Sequence, residues 1–317
     1  MLDIITIGDG MITMNPKTRG PLRFSNEFER KAGGAELNLA VGAARLGLAS
    51  GWISRVGNDE FGQYILNFMR GEGVDVTDVV KEDGYNTPLN FKEIREDGSG
   101  STHYYRFPSP TETITAETLQ NSKIKEAKIF YLSGVFPSLR PENVSLLHQA
   151  ISIAKENGAK IALDPNIRLK LWSVESAREA LLSFLPHVDI VLSGEEEAAQ
   201  LFGDQTLEAH IQEFQSYGVE TVAVKRGEKG AAGKTADEEV VYASSVKAAK
   251  VVDTVGAGDG FNAGFLYGIL QDWPLEKTLQ FANQVGSMVV AVSGDNEGLP
   301  LLEEVAEALG EKEKIER

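Results

Sequence analysis

DTVGAGDGFNAGFL, residues 253–266, runs four glycines and two aspartates straight into an apolar segment. Gly256 and Gly258 permit a tight turn and bring backbone amides close to a ligand with no side chain between. The pattern predicts a helix beginning near Ala257. Its unpaired N–H groups and its dipole point the same way. Such an arrangement favours an anion, above all a phosphate. Asp259 carries negative charge and cannot be the anion so bound. Beside a transferring phosphoryl group, however, it can accept the proton of an attacking hydroxyl. The plainer alternative is a glycine-rich helix start that packs closely on a strand.

Composition narrows the field around that stretch. The chain has 317 residues, 42% of them hydrophobic, enough for a large core. It has no cysteine, which excludes disulfide frameworks, thiolate metal sites and cysteine nucleophiles and suits a reducing cytosol. The net charge of −16 opposes binding to nucleic acid or to an anionic membrane. A small anion held by local donors is still allowed. The opening MLDIITIG lacks the basic region and cleavage site of a signal peptide. No apolar run approaches a bilayer-spanning length. The expectation is a cytoplasmic protein without membrane or nucleic-acid partners.

Strand-like runs at 4–8, 51–57, 128–134, 161–164, 189–193 and 221–225 alternate with helical stretches. Helices are expected at 35–46, 63–70, 142–156, 260–270 and 275–292. This alternation predicts an α/β fold with a mostly parallel sheet covered on both faces. Residues 10–32 and 85–107 break the rhythm. The second of these alternates polar and apolar residues around EDGSGS (96–101), as a β-hairpin does. Both segments are expected to form a small sheet outside the main layer, or else solvent-exposed meanders. The charged end, GEKEKIER, is expected to fray.

The full string D-T-V-G-A-G-D-G-F resembles the C-terminal signature of the ribokinase-like (PfkB) carbohydrate kinases. AGGAELNLAVGAARLG (32–47) is similar to that family's first glycine motif. Taken alone, the second string is a helix with a glycine-containing start. Together, in this order, the two signatures span essentially the whole chain. The resemblance implies a single kinase domain over 1–317, a three-layer α/β/α fold and a small β-sheet lid from 10–32 and 85–107. It makes Asp259 the catalytic base, with Gly256, Ala257 and Gly258 lining the γ-phosphate. Gly33 and Gly34 would let backbone approach a sugar, and Asn38 would hydrogen-bond its hydroxyls.

On the same resemblance the cofactors are ATP and Mg2+. VKRGEKGA (224–231) matches segments that line the nucleotide, which implicates Lys225, Gly227 and Gly230; a solvated charged hairpin is the alternative. LSGEEEA (192–198) corresponds to the family's Asn-x-x-Glu element, with Ser193 in the asparagine position and Glu196 as the acid that helps organise magnesium. Asn166 sits at a strand end, where α/β enzymes place ligand contacts. Asn283 is a candidate for the adenine side. Members of the family often bind a monovalent cation; Asp253 and the carbonyl of Val255 are the candidates for K+ here.

The acceptor is read from HYYRF (103–107) and DPNIR (164–168). Side-chain alternation puts Tyr104 and Arg106 on one side of a strand. Arg106 and Arg168 could grip a carboxylate by bidentate hydrogen bonds, or each could be a surface ion-pair partner. GGAELN, YYR and DPNIR together resemble the 2-keto-3-deoxygluconate kinases within the family. That implies 2-dehydro-3-deoxy-D-gluconate as substrate, phosphorylated at O6, with Gly34, Tyr104, Arg106 and Arg168 around the acid. Asn90 falls where a lid tyrosine is frequent. Asp295 resembles a late acid that touches substrate, or else caps the end of the long helix. DPNIR also occurs in fructokinase-like members, so a ketose kinase is the alternative, and a catalytically silent sugar-binding regulator a more distant one. Related kinases pair their lids, which implies a homodimer or a higher homo-oligomer.

Overall fold

The computed structural model describes residues 1–95, 100–236, 238–248 and 250–312. The strands in chain order are β1 (Leu2–Ile7), β2 (Met11–Pro16), β3 (Phe28–Gly33), β4 (Ser50–Gly57), β5 (Val79–Glu82), β6 (Leu89–Ile94), β7 (Gly100–Tyr105), β8 (Ala127–Ser133), β9 (Lys160–Asp164), β10 (Ile190–Gly194), β11 (Thr221–Lys225), β12 (Ala231–Thr235) and β13 (Val241–Ala243). The helices are α1 (Ala35–Arg45), α2 (Glu60–Gly71), α3 (Ala116–Gln120), α4 (Val135–Ser138), α5 (Glu142–Glu156), α6 (Val174–Phe184), α7 (Glu195–Phe202), α8 (Leu207–Ser216), α9 (Ala257–Leu270), α10 (Leu275–Val289) and α11 (Leu302–Ala308).

Nine strands form one sheet in the order β13-β12-β11-β10-β9-β8-β1-β4-β5. All neighbours are parallel except the β11–β12 and β12–β13 pairs. Successive residues of the central strands belong to opposite faces. Ile5 and Ile7, Phe130 and Leu132, Ile161 and Leu163, and Val222 and Val224 join the core under α3, α5, α6 and α8. Ile4, Ile129 and Tyr131, Ala162 and Ala223 join the core under α1, α9 and α10. Each strand must therefore be largely apolar on both sides, which is why IITI and TVAV read as near-continuous hydrophobic runs, broken only by Thr6 and Thr221. Truncating a fully buried anchor such as Phe130 or Phe265 costs about 3–5 kcal/mol.

From β1 the chain winds outward through β4 and β5, then returns to β8 and winds the other way through β9, β10 and β11. The reversal between β1 and β8 leaves a crevice at the carboxyl ends of the strands, the standard ligand position in such sheets. The two segments that broke the helical rhythm form a second sheet, in the order β3-β2-β6-β7. β6 and β7 pair antiparallel from Leu89 opposite Tyr105 to Ile94 opposite Gly100, as the hairpin reading requires. Residues 96–99 of its expected turn, and the charged terminus from 313, lie outside the described residues.

The expected boundaries differ at helix ends. α2 begins three residues before the expected 63 because the Asp59 carboxylate accepts the Gly62 amide at 2.8 Å and caps it. α10 stops at Val289 instead of 292. Among the described residues no helix is long and apolar enough to cross a membrane.

Candidate active site

Gly256 adopts φ +80°, and a Cβ there would lie 1.9 Å from the Asp295 carbonyl. Only glycine fits that turn. It serves as the N-cap of α9, with Ala257, Gly258 and Asp259 in the first helical turn. Gly258 is different. A Cβ on it would meet only the Lys225 ammonium, at 3.8 Å, and otherwise open space. Gly256, Gly258 and Asp259 of this turn thus border a cavity of about 930 Å³, lined also by Gly34, Asn38, Lys225 and others from both sheets, whereas Ala257 does not line it and its amide approaches the Thr254 carbonyl at 3.4 Å.

Asp259 is buried, and burial raises its pKa to about 7. The Asn38 amide opposes that rise, donating to Asp259 Oδ2 at 2.8 Å. Asp164 raises the value further, while Arg168 and Lys225 lower it. A carboxyl balanced near neutrality can take a proton and release it. Asn38 lines the cavity, but its amide nitrogen is committed to Asp259, and its Oδ1 accepts from Asn296 at 3.3 Å. One of its two amide hydrogens thus orients the acid, and the side chain still borders the cavity.

Three expected ligand residues face protein instead. Ser193 is fully buried and bonds the Gly194 carbonyl at 3.0 Å; the cavity wall passes through Gly194, Glu195, Glu196 and Glu197. Gly230 does not line the cavity; glycine is needed there because φ is +87° and a Cβ would lie 2.1 Å from the Ala243 carbonyl. Asn283 donates to the carbonyls of Ala243 and Ser244 at 3.2 and 3.1 Å, tying α10 to the end of β13. Asn166, Gly227, Glu196, Val255, Asn90, Tyr104, Arg168 and Asp295 all line the cavity. Among the described residues no three acidic or histidine side chains form a metal cage. An exposed Glu196 at the rim suits a hydrated divalent ion carried on phosphates.

Arg106 is not the free guanidinium expected at the acceptor end of the cavity. It lines the cavity but is 5% exposed and is paired with Asp9, Nε to Oδ2 at 2.6 Å and Nη2 to Oδ1. Its charge is already neutralised by the protein. Burial disfavours its cation, yet Asp9 outweighs that and holds the pKa above the usual arginine value. Asp295 does not cap the long helix. Its Oδ1 accepts from Lys92 at 2.7 Å. Asp253 is likewise no open cation ligand. It accepts the Val255 amide at 3.1 Å and lies 3.8 Å from the Lys92 ammonium. The Lys92 ammonium therefore already places positive charge beside the Asp253 carboxylate.

Four acids at or behind the site carried no role in the sequence reading. Asp164 ends β9 and binds Lys225 at 2.8 Å and Asn262 at 2.5 Å, clamping β9, β11 and α9 together. Lys225 is raised: burial opposes its charge, but Asp164 and Glu197 outweigh it. Asp9 closes the β1 end. A carboxylate at or just past the end of a buried parallel strand was the available signal for both aspartates. Glu197, one residue beyond the expected acid, accepts the Gly194 amide at 2.7 Å and the Ile167 amide at 3.3 Å. Glu36 is fully buried, and neither carboxyl oxygen has a partner among the described residues. Burial, then Asp9, raises its pKa to about 8.

Known proteins carry the same plan. The 2-dehydro-3-deoxygluconokinase of Bacillus subtilis is 33% identical over 316 residues, 99% of this chain and 97% of that protein. Fructokinase-1 of Oryza sativa is 33% identical over 315 residues, 95% and 96% of the two chains. An E. coli structure assigned as a ribokinase II, in complex with ATP and Mg2+, superposes with a TM-score of 0.91 at 27% identity, covering 98% of this chain and 100% of that one. The family model for pfkB carbohydrate kinases matches residues 1–302. Because that match takes in both glycine turns and every strand between them, the chain belongs to the pfkB family of carbohydrate kinases.

Proposed function

We propose that this sugar kinase uses ATP with Mg2+ to phosphorylate 2-dehydro-3-deoxy-D-gluconate on its terminal O6 hydroxyl. The observation that carries the acceptor reading is Arg168. It is exposed on the cavity wall, and among the described residues no carboxylate lies within ion-pair distance of it. A sugar acid would supply that carboxylate. Arg106 can contribute through Nη1, the one terminal nitrogen outside its pair with Asp9. The B. subtilis relative named for this activity supports the same reading.

Each group then has a task. Asp259 accepts the O6 proton as the hydroxyl attacks. The amides of Gly256 and Gly258, backed by the dipole of α9, stabilise negative charge on the migrating phosphoryl group. Lys225 adds positive charge beside Gly258. Bound ATP with Mg2+ supplies the phosphoryl group itself, and the E. coli ATP and Mg2+ complex supports that choice. The small sheet would act as a lid that excludes water from transfer. Its outer face carries Phe28, Phe91 and Tyr105 in edge-to-face contact, with Tyr105 and Phe107 largely exposed. A second copy would cover that face, giving a homodimer; sedimentation at micromolar concentration that shows only monomer removes this part.

The neutralised charge on Arg106 favours a second reading, a ketose kinase, for which the rice fructokinase is the model relative. A coupled ADP-release assay over 2-dehydro-3-deoxygluconate, its C4 epimer, fructose and ribose separates the two. The sugar acid should give the highest kcat/KM, and Arg168→Ala should raise KM for the acid alone. Preference for fructose overturns the carboxylate argument.

A further inference from the structure

We propose that the Lys92 ammonium is a built-in cation that stands in for a diffusible monovalent ion beside the phosphate-binding turn and fastens the small sheet to it. Two loops meet at this place. Val252 donates to the Val290 carbonyl at 2.8 Å, and the Gly294 amide approaches Asp253 Oδ2 at 3.4 Å. The Asp295 carbonyl packs directly on Gly256, the residue that shapes the turn. Into this junction β6 sends Lys92. Its nitrogen lies 2.7 Å from Asp295 Oδ1 and 3.8 Å from Asp253 Oδ2.

Lys92 and Asp295 both border the cavity, yet the ion pair is mostly covered. The Lys92 and Asp295 side chains are each 13% exposed and Asp253 is 23% exposed. Burial works against the ammonium, but Asp295, Asp253 and Glu297 outweigh it, so the charge is kept. A second lysine of the same sheet supports the join: Lys31 donates to the Ser293 carbonyl at 2.8 Å and lies 3.7 Å from Glu297. An incoming K+ would meet an ammonium already seated between the two carboxylates that could have bound it. Lys92 acts through Asp295 on the backbone of Gly256 and is a positioning residue. It reaches that backbone only when β6 is in place, so closure of the small sheet and the shape of the turn are linked.

The idea uses the kinase reading of residues 256–259 but not the identity of the sugar. The test is therefore run with whichever acceptor the panel selects. Its binding arm, melting temperature in KCl against N-methyl-D-glucamine chloride at constant ionic strength, uses no sugar at all. The wild-type protein should show the same rate and the same melting temperature in both salts. Lys92→Met should lower kcat about tenfold in N-methyl-D-glucamine chloride, leave the sugar KM unchanged, and recover most of the loss in KCl or NH4Cl together with a K+-dependent melting temperature. Lys92→Arg should remain indifferent to K+. Activation of the wild-type enzyme by K+ overturns the proposal whatever the variants do. So does a Lys92→Met protein whose sugar KM rises with no response to cations, because Lys92 would then be a substrate ligand.

Discussion

Two helices of this molecule begin with glycine followed within three residues by a buried acid, and the two acids face opposite situations. At α9, Asp259 opens on the cavity and has a partner in Asn38. At α1, Glu36 is sealed behind Asp9 and Gly8 with both oxygens unpaired. The glycines differ in parallel. Gly34, at φ +146° with a Cβ position 2.6 Å from the Asp9 carbonyl, is required by the chain's own backbone, as is Gly256. Gly258 is required by nothing in the chain. A glycine that the fold does not need, facing empty space beside an ammonium and an acid, is what the proposed phosphate position requires.

The largest break in this comparison comes from Asp259→Asn. Loss of the base should lower kcat about 10²- to 10⁴-fold with sugar binding by calorimetry retained. Unimpaired turnover would move the chemistry away from α9. Next come the glycines. Gly258→Ala should lower kcat/KM about a hundredfold, since the methyl enters the phosphate position. It should also leave the melting temperature unchanged or higher, because alanine is the better helix former by about 1 kcal/mol. Gly256→Ala should instead destabilise, by about 1–2 kcal/mol of backbone strain and more from the Asp295 contact. Equal effects of the two substitutions on stability would erase the distinction.

A smaller effect concerns pH. With Asp259 raised to about 7, kcat/KM should fall as pH drops through that value, because the protonated acid cannot take the hydroxyl proton. Asn38→Ala removes a bond that stabilises the carboxylate, so the acid limb of the profile should move to higher pH. An unmoved limb would detach Asn38 from the acid. The smallest effect belongs to Glu36. Its folded pKa, about 8, exceeds its ordinary 4.5, so the folded state binds the proton more tightly. Stability is lost as pH rises between those values. Glu36→Gln has no such proton, and its melting temperature should gain on the wild type between pH 5 and pH 8 while activity changes little. Parallel pH curves for the two proteins would show that Glu36 is ionised throughout.

Much of this was legible because it is periodic or local. The parallel strands show as apolar runs, and the turn at 256–259 as a glycine pattern tied to a helix start. The small sheet shows as two segments without helical spacing. What a glycine or an amide faces is not local. Gly230 and Gly258 read alike in sequence, yet one is filled by the Ala243 carbonyl and the other is open. Asn283 and Asn166 also read alike, and only Asn166 reaches the cavity. Arg106 could be placed on the correct strand face, but its partner Asp9 lies 97 residues earlier. The same holds for Lys92, whose partner Asp295 is 203 residues away. Long-range pairing of charges is fixed by the crossing of strands, which no spacing along the chain encodes.

The close fit of α9 among its neighbours has one more effect. Ala263 meets Gly42 of α1, Gly264 meets Ala282 and Val285 of α10, and Gly260 meets Val289. With contacts of bare backbone width on two sides, the rod can neither roll nor slide without opening voids. The direction in which its first amides point is thus decided during folding, before any visitor arrives. The entropy of aligning those dipoles is not charged to each catalytic cycle, and a bulky residue at Gly264, far from the cavity, would spoil their aim as surely as a change at the mouth itself.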